Sequence, residues 1–351
     1  MVLRGGTSKG AYFLRDDLPS DAAARDDLLL RIMGSPDPRQ IDGIGGAHPL
    51  TSKVAVVSRS PDDAADIDYL FLQTGVDEAF VTDKQNCGNI LAGVGPFAVE
   101  RKLVRPRGDQ AVVRIRMVNT GSTAVATFPL RDRMPDYRGD TAIAGVPGTA
   151  AEVRLDFTGT AGSSCGSLLP TGHFVDVIDG IEVTCIDNGM PVVVMRATDL
   201  GVTGYESCAA LEANAELRSR IESIRLQAGP LMHLGDVATA TVPKMTLVAP
   251  ARDGGDLCTR TFIPHRCHDA IGVLGAVSVA TAAMLHESPI HPLARGMAGA
   301  GLLPIVVEHP TGTFDVSIEL GWVTSMPIVL RAGIIRTARK LFDGTVFPRE
   351  Q

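Results

Sequence analysis

Asn86-Cys87-Gly88-Asn89-Ile90-Leu91-Ala92-Gly93-Val94-Gly95 can be laid over Arg266-Cys267-His268-Asp269-Ala270-Ile271-Gly272-Val273-Leu274-Gly275, cysteine on cysteine and Gly95 on Gly275. Each stretch opens an apolar, glycine-containing segment of the kind that forms a buried helix, and each lies at a comparable depth in its half of the chain. Such repetition implies two related α+β domains that face each other across a cleft. With 351 residues, 45% of them hydrophobic and 21% charged, the chain can bury more than one core. Residues 1–186 are expected to form the first domain and 187–335 the second, with the tail 336–351 returning to the first.

The remaining elements follow from periodicity and punctuation. Residues 11–14 read as a strand, and Ser20 as the N-cap of a helix that runs to about Met33, where Gly34-Ser35-Pro36-Asp37-Pro38 stops it. A glycine-rich loop, Asp42-Gly43-Ile44-Gly45-Gly46-Ala47-His48-Pro49, then delivers Lys53 to the mouth of a β-branched strand at 54–57. Strands are expected at 69–73, 112–118 and 123–128, the last two joined by the turn Asn119-Thr120-Gly121-Ser122. Asp187-Asn188-Gly189-Met190-Pro191 reads as a second beginning, followed by a strand, a polar helix over about 206–227 and strands near 244–248, 303–308, 313–319 and 327–331. Met1-Val2-Leu3 leaves little room for a strand ahead of Arg4-Gly5-Gly6, which suggests that a few upstream residues are missing.

Composition excludes several function classes. A net charge of -7 and a pI near 5.6 argue against a nucleic-acid partner, which needs a clustered positive field. The apolar stretch 270–285 is interrupted by Gly272, Gly275, Ser278 and Thr281 and is shorter than the ~20 residues of a membrane span. The chain opens with no secretory signal, so the expected compartment is the cytosol. Cysteines at 87, 165, 185, 208, 258 and 267 show neither a disulfide framework nor a C-x-x-C zinc knuckle, and are expected to be reduced thiols with no metal bound.

The candidate chemistry sits in four places. A helix start leaves backbone N–H groups unpaired and carries partial positive charge, which binds carboxylates and favours a thiolate. Cys87 and Cys267 both fit; the simpler reading of either is a small apolar residue at a buried helix start. Gly88 and Asn89 free their amides for a ligand and favour function at Cys87, whereas His265, Arg266 and His268 compete with Cys267. Lys53 is either a solvated strand-end charge or a partly desolvated amine able to act as a base. Arg4-Gly5-Gly6-Thr7-Ser8-Lys9-Gly10 lacks the G-x-x-x-x-G-K-[ST] spacing and leads into a strand, so it is a nest of amides and hydroxyls for a carboxylate rather than a nucleotide site, against a bare glycine turn. Leu168-Leu169-Pro170-Thr171-Gly172-His173 is a turn whose glycine and proline can be purely conformational.

Taken together, Arg4–Gly10, Gly43–Gly46 with Thr51-Ser52-Lys53, Asn86–Asn89, Leu168–Gly172 and Asp187–Pro191 resemble the methylaconitate isomerase (PrpF) family of the diaminopimelate epimerase-like superfamily, over nearly the whole chain. The stretches 33–43 and 86–98 are most similar to its 4-oxalomesaconate tautomerases and isomerases of gallate, protocatechuate and lignin-fragment catabolism. The resemblance implies an α+β fold of two pseudo-symmetric domains, each a β-sheet wrapped around a central helix, with the active site between them. It also implies a cofactor-independent isomerase acting on a small polycarboxylate. In family members the lysine of the T-S-K segment and the cysteine of N-C-G-N are the catalytic pair, which map onto Lys53 and Cys87. The racemases of the superfamily use two facing cysteines, which would map onto Cys87 and Cys267; their second cysteine is followed by Gly-Thr-Gly, and here it is followed by His268-Asp269, which speaks against a racemase.

The expected mechanism has neutral Lys53 remove a proton next to a carbonyl or vinylogous to a carboxylate, while Cys87 returns a proton elsewhere or polarises the dienolate. Amides of Gly6, Thr7, Gly88 and Asn89 and the Ser8 hydroxyl would hold carboxylates. Arg4, His265 and Arg266 would supply counter-charge, Asn188 would orient the substrate, and Ser52, Asn86 and Cys267 complete the expected binding set. Alternatives are a 2-methylaconitate cis-trans isomerase, a non-catalytic carboxylate-binding accessory protein and, remotely, a zinc protein built on residues 258–268. The oligomeric state is open, a homodimer being compatible with the sequence.

Overall fold

The computed structural model describes residues 1–350 apart from 84, 85, 298 and 300. The chain divides into two compact units, Met1–Asp156 with Ile335–Gln351, and Phe157–Ile334. Each is a sheet wrapped around one buried apolar helix, the diaminopimelate epimerase-like α+β architecture expected from the sequence.

The first unit contains strands β1 (Val2–Gly5) and β2 (Ser8–Leu14), helix α1 (Ala22–Met33), then β3 (Lys53–Arg59), β4 (Ile67–Thr74) and the short β5 (Val81–Thr82). Helix α2 (Gly88–Glu100) follows, with β6 (Gln110–Met117), β7 (Thr123–Arg131), β8 (Met134–Pro135) and β9 (Glu152–Thr158), in which the unit boundary falls. The second unit contains β10 (Asp176–Ile178), β11 (Ile181–Asp187), β12 (Pro191–Arg196), helices α3 (Cys208–Ala213) and α4 (Ala215–Leu231), β13 (Lys244–Pro250) and β14 (Leu257–Phe262). Helix α5 (Val273–Met284), β15 (Leu303–His309) and β16 (Gly312–Val323) complete it, and β17 (Met326–Phe342) crosses the second boundary and ends paired with β1.

The repeat is written in strand pairing. In the first unit β1–β2 is antiparallel, β2–β3 parallel, β3–β4 antiparallel, β4–β6 parallel and β6–β7 antiparallel. In the second, β11–β12, β12–β13, β13–β14, β14–β15 and β15–β16 follow the same alternation. Helices α2 and α5 occupy the same step of each cycle, and α2 is buried from Ile90 to Val99, α5 from Val273 to Ala283 apart from Leu274. A helix apolar on every side can only be a core element.

This topology corrects three expectations. Asp187–Pro191 is the tight connection between β11 and β12, with Gly189 at φ +89, and not a domain start; the first boundary lies near 156 because β10 and β11 belong to the second sheet. Residues 2–5 do form a strand ahead of the glycine turn. The overlay of cysteines is out of helical register: Cys87 is the N-cap of α2, whereas the N-cap of α5 is Gly272 and Cys267 lies five positions earlier in a β-bridge with Phe262. Local caps shift by a residue, Asp21 and not Ser20 accepting from the Ala24 N–H at the start of α1. Among the described residues no helix is long and apolar enough to cross a membrane.

Helix α2 approaches its sheet through glycines. A Cβ on Gly93 would lie 2.4 Å from the Tyr12 hydroxyl, which donates to the Ile90 carbonyl at 2.6 Å. Gly93→Ala should therefore cost about 1–3 kcal/mol through overpacking, read as a lower urea midpoint with an unchanged slope; wild-type stability in this variant would contradict the packing described.

Candidate active site

Lys53 opens β3, in register with Gly10 on β2 and Gln73 on β4. Strand alternation puts it on the face that carries Tyr12, Ala55, Phe71 and Tyr69, toward α2, because the intervening Ala11, Val54, Val56 and Leu72 pack with Leu29 and Met33 of α1. The side chain is buried, with the amine donating to Gln73 Oε1 at 2.7 Å and lying 5.1 Å from the Phe71 ring centroid. Gln73 Nε2 in turn donates to the carbonyls of Pro49, Ser52 and Thr74 at 3.2, 3.2 and 3.1 Å. Three acceptors around the nitrogen oblige the amide oxygen to face the lysine. Buried ammonium groups are ordinarily paired with a carboxylate; here a neutral amide positions the amine and adds no charge.

Cys87 is the N-cap of α2, a half-buried free thiol in extended conformation. Its carbonyl accepts from the Leu91 N–H at 3.0 Å and from the Tyr69 hydroxyl at 3.3 Å. Burial first, and then the neighbouring Cys87 sulfur, push the Tyr69 and Tyr12 phenols well above their usual range, so both stay protonated donors. Tyr69, Phe71 and Gln73 stand at successive same-face positions of β4, so one strand face ties Cys87 at one end to Lys53 at the other. A second tie is Gly10, where a Cβ would lie 2.6 Å from the Lys53 carbonyl oxygen and 3.0 Å from Ile90 Cδ1.

The glycine turn between β1 and β2 docks on the start of α2. Gly6 adopts φ +51, its N–H donates to the Thr337 carbonyl at 2.9 Å, and Asn89 accepts from the Thr7 N–H at 3.4 Å while donating to Thr7 Oγ1 at 3.1 Å. The Gly6 and Thr7 amides are thus committed to protein partners, contrary to the expectation that they hold substrate. Gly88 and Asn89 supply first-turn amides, which have no partner within a helix. Ser8, two residues from Gly10 on the same face as Lys53, is 2% exposed and its hydroxyl has no hydrogen-bond partner. Asn86 donates to Thr120 Oγ1 at 2.7 Å, and its Oδ1 is buried and unpartnered. A buried orphan acceptor is costly unless something else completes it. Ser52 is spent internally, donating to Gln40 Oε1 at 2.6 Å and accepting from the Gly46 N–H. Arg4 projects from the opposite face of β1 and donates to the carbonyls of Gly6 and Thr337.

The candidates of the second unit have other duties locally. Asn188 is fully buried, accepting from Thr160 Oγ1 at 2.7 Å and donating to Thr281 Oγ1 at 2.9 Å, which pins the β11–β12 turn to α5. Cys267 donates its N–H to Glu212 at 2.9 Å, and burial followed by the Cys208 thiol pushes its own thiol well up. His265 and Arg266 are exposed in the turn after β14, His265 lying 3.7 Å from Glu222. Sequence reasoning missed Gln73, Tyr69, Tyr12 and Lys244. Lys244 opens β13 as Lys53 opens β3; burial first and then Arg225 bring its amine down to about 8, and it donates to the Thr241 carbonyl at 2.6 Å. The available signal was the same-face spacing of Tyr69, Phe71 and Gln73. Among the described residues no group of three or more His, Cys, Asp or Glu could hold a metal ion.

The sequence model of the PrpF protein family matches residues 1–349. Over 347 residues the chain is 60% identical to the (4E)-oxalomesaconate Delta-isomerase of Novosphingobium sp. (strain KA1), covering 99% of this chain and 96% of that one. It is 57% identical over 346 residues to the 4-oxalomesaconate tautomerase of Pseudomonas putida, covering 99% and 94%. The crystal structure of methylitaconate-delta-isomerase superposes with a TM-score of 0.86 at 33% identity, covering 98% and 93%. Because Cys267 is buried and its thiol raised while Cys87 is half-buried, brief iodoacetamide treatment of the native protein at pH 8 should alkylate Cys87 and spare Cys267. Peptide mass spectrometry reads this directly, and equal labelling of the two would contradict it.

Proposed function

This chain belongs to the PrpF family, and we propose that within it the protein is an isomerase of 4-oxalomesaconate, with Lys53 as base and Cys87 as its partner. The observation that carries the assignment is the buried Lys53 amine held by the neutral Gln73, on the strand face whose Tyr69 reaches Cys87. In this reading neutral Lys53 takes a proton from a carbon acidified by the neighbouring carbonyl or, through the double bond, by a carboxylate. The electron pair spreads into a dienolate, and the Cys87 thiol delivers a proton at another carbon. One C–H bond breaks and one forms, so nothing is oxidised or reduced. The ammonium and thiolate then return to their starting forms by proton exchange with solvent.

Anion binding supports the same reading. The first-turn amides of α2 and the helix dipole favour a carboxylate beside Cys87. The unpartnered Ser8 hydroxyl on the Lys53 face offers a further hydrogen bond to substrate. Protonated Tyr12 and Tyr69 keep additional negative charge away from the thiol. A cytosolic setting and a homodimer belong to the proposal and are read by fractionation and by sedimentation.

Turnover of 4-oxalomesaconate in D2O, followed by NMR, tests the pair. Lys53→Met should lower the rate by about 10²–10⁴-fold, the span of general-base contributions, and deuterium incorporation should fall in step; undiminished turnover would remove the lysine from the mechanism. Gln73→Glu sets a carboxylate against the amine and favours its protonated form. The acid limb of the pH–rate profile should therefore move to higher pH, whereas Gln73→Leu should lower kcat and leave that limb in place. An unmoved limb in Gln73→Glu argues against a neutral Lys53 as base.

A further inference from the structure

Three cations stand side by side on the face of the first sheet opposite Lys53. Arg4 on β1 is in register with Lys9 on β2 and with Arg339 on β17, so the three side chains form one row across adjacent strands. Like charges directly opposite in neighbouring strands are destabilising. The chain carries 40 Asp and Glu against 33 Lys and Arg, so acidic partners are plentiful, and none is used here. Among the described residues neither Lys9 nor Arg339 makes an ion pair. Arg4 donates only to the carbonyls of Gly6 and Thr337, and burial followed by Arg339 lowers its proton affinity.

The row lines a cavity of about 300 Å³, lined also by residues 145–150 and by the hydroxyl-bearing Thr7, Ser8, Thr51 and Thr337, with no carboxylate in its walls. A recess with three uncompensated cations, Arg4 and Lys9 half-buried and Arg339 exposed, is built to be completed by negative charge from outside the chain. Two guanidinium groups and an ammonium suit the several oxygens of one small anion better than a single carboxylate.

We propose that Lys9, Arg4 and Arg339 form a second anion site, separate from the Lys53 face, for a small polyanion presenting carboxylate or phosphate oxygens. The site stands independently of the assignment of Lys53 and Cys87. In its absence the row repels itself, and binding relieves that repulsion, so occupancy should stabilise the fold by mass action.

Calorimetric titrations of wild type, Lys9→Gln, Arg339→Gln and Lys53→Met, at ionic strength matched with sodium chloride, test this with two probes: inorganic phosphate, and tricarballylate, a tricarboxylate with no double bond to shift. Wild type and Lys53→Met should bind one or both probes alike at this site. Lys9→Gln and Arg339→Gln should each weaken that binding by about tenfold or more, the worth of one charge-assisted hydrogen bond. Without the probe both variants should melt at or above the wild-type temperature, which a merely misfolded variant would not do. Variant-sensitive binding of phosphate alone identifies a phosphate site, and of tricarballylate alone a carboxylate site. The proposal is overturned if both variants bind both probes as wild type does, if binding is lost in Lys53→Met, or if sodium chloride alone reproduces the effect.

Discussion

The close approach of a helix that is apolar and buried from Ile90 to Val99 to the strands around it is the constraint on which the first unit depends. Gly5 brings β1 to within 2.4 Å, measured from a would-be Cβ, of the Asn89 carbonyl oxygen, and Gly10 and Gly93 permit equally tight contacts with Lys53 and Tyr12. Any side chain at these points would push α2 away from β1 and β2. The conformational entropy that glycine loses on folding is the cost, and it is offset by burying the helix on every side. What the approach achieves is positional: the N-cap thiol, the strand-mouth amine and the first-turn amides of the helix share one face.

Neutrality distinguishes that face. The groups beside Lys53 and Cys87 are an amide, an aromatic ring, two phenols held protonated by burial and peptide units, with the unpartnered Ser8 hydroxyl on the same strand face. A carboxylate among them would hold the amine as ammonium and compete with an anionic substrate. The other face of the same strands has the opposite character, with Lys9, Arg4 and Arg339 abreast. Strand alternation keeps the two environments apart within a single layer of backbone, so one hairpin borders the proposed proton-transfer site on one side and carries the cationic row on the other.

The two units share an order of parallel and antiparallel pairing but have diverged chemically. Lys53 and Lys244 occupy the same step of the cycle, yet one meets a glutamine amide and the other a backbone carbonyl. The helix starts differ more. Cys87 caps α2, while Gly272 caps α5 and Cys267 is drawn into a bridge with Phe262. Glycine at that cap carries no functional group, so the proton chemistry assigned to the N-cap thiol has no counterpart at the start of α5.

The sequence by itself determined the kind of fold and most of its elements, because apolar periodicity and glycine punctuation are local properties of the chain; it singled out Lys53 and Cys87 as candidates, and the resemblance of the motifs around them to the PrpF family is what implied a catalytic pair. It misjudged the repeat by five residues, since helix starts depend on which N–H groups the surrounding structure leaves unpaired, and Cys267 is claimed by a strand partner. It also assigned Ser52, Asn188 and the hairpin amides to substrate, although hydrogen-bond partners elsewhere in the chain occupy them, and it set Arg4 beside Lys53, although Arg4 projects from the opposite face. Only tertiary structure decided which face of β1 Arg4 points from, that Gln73 meets Lys53, and that Arg339 lies beside Arg4 from more than three hundred residues away. Register between strands settles all three, and register is a property of how segments meet, which neither segment carries alone.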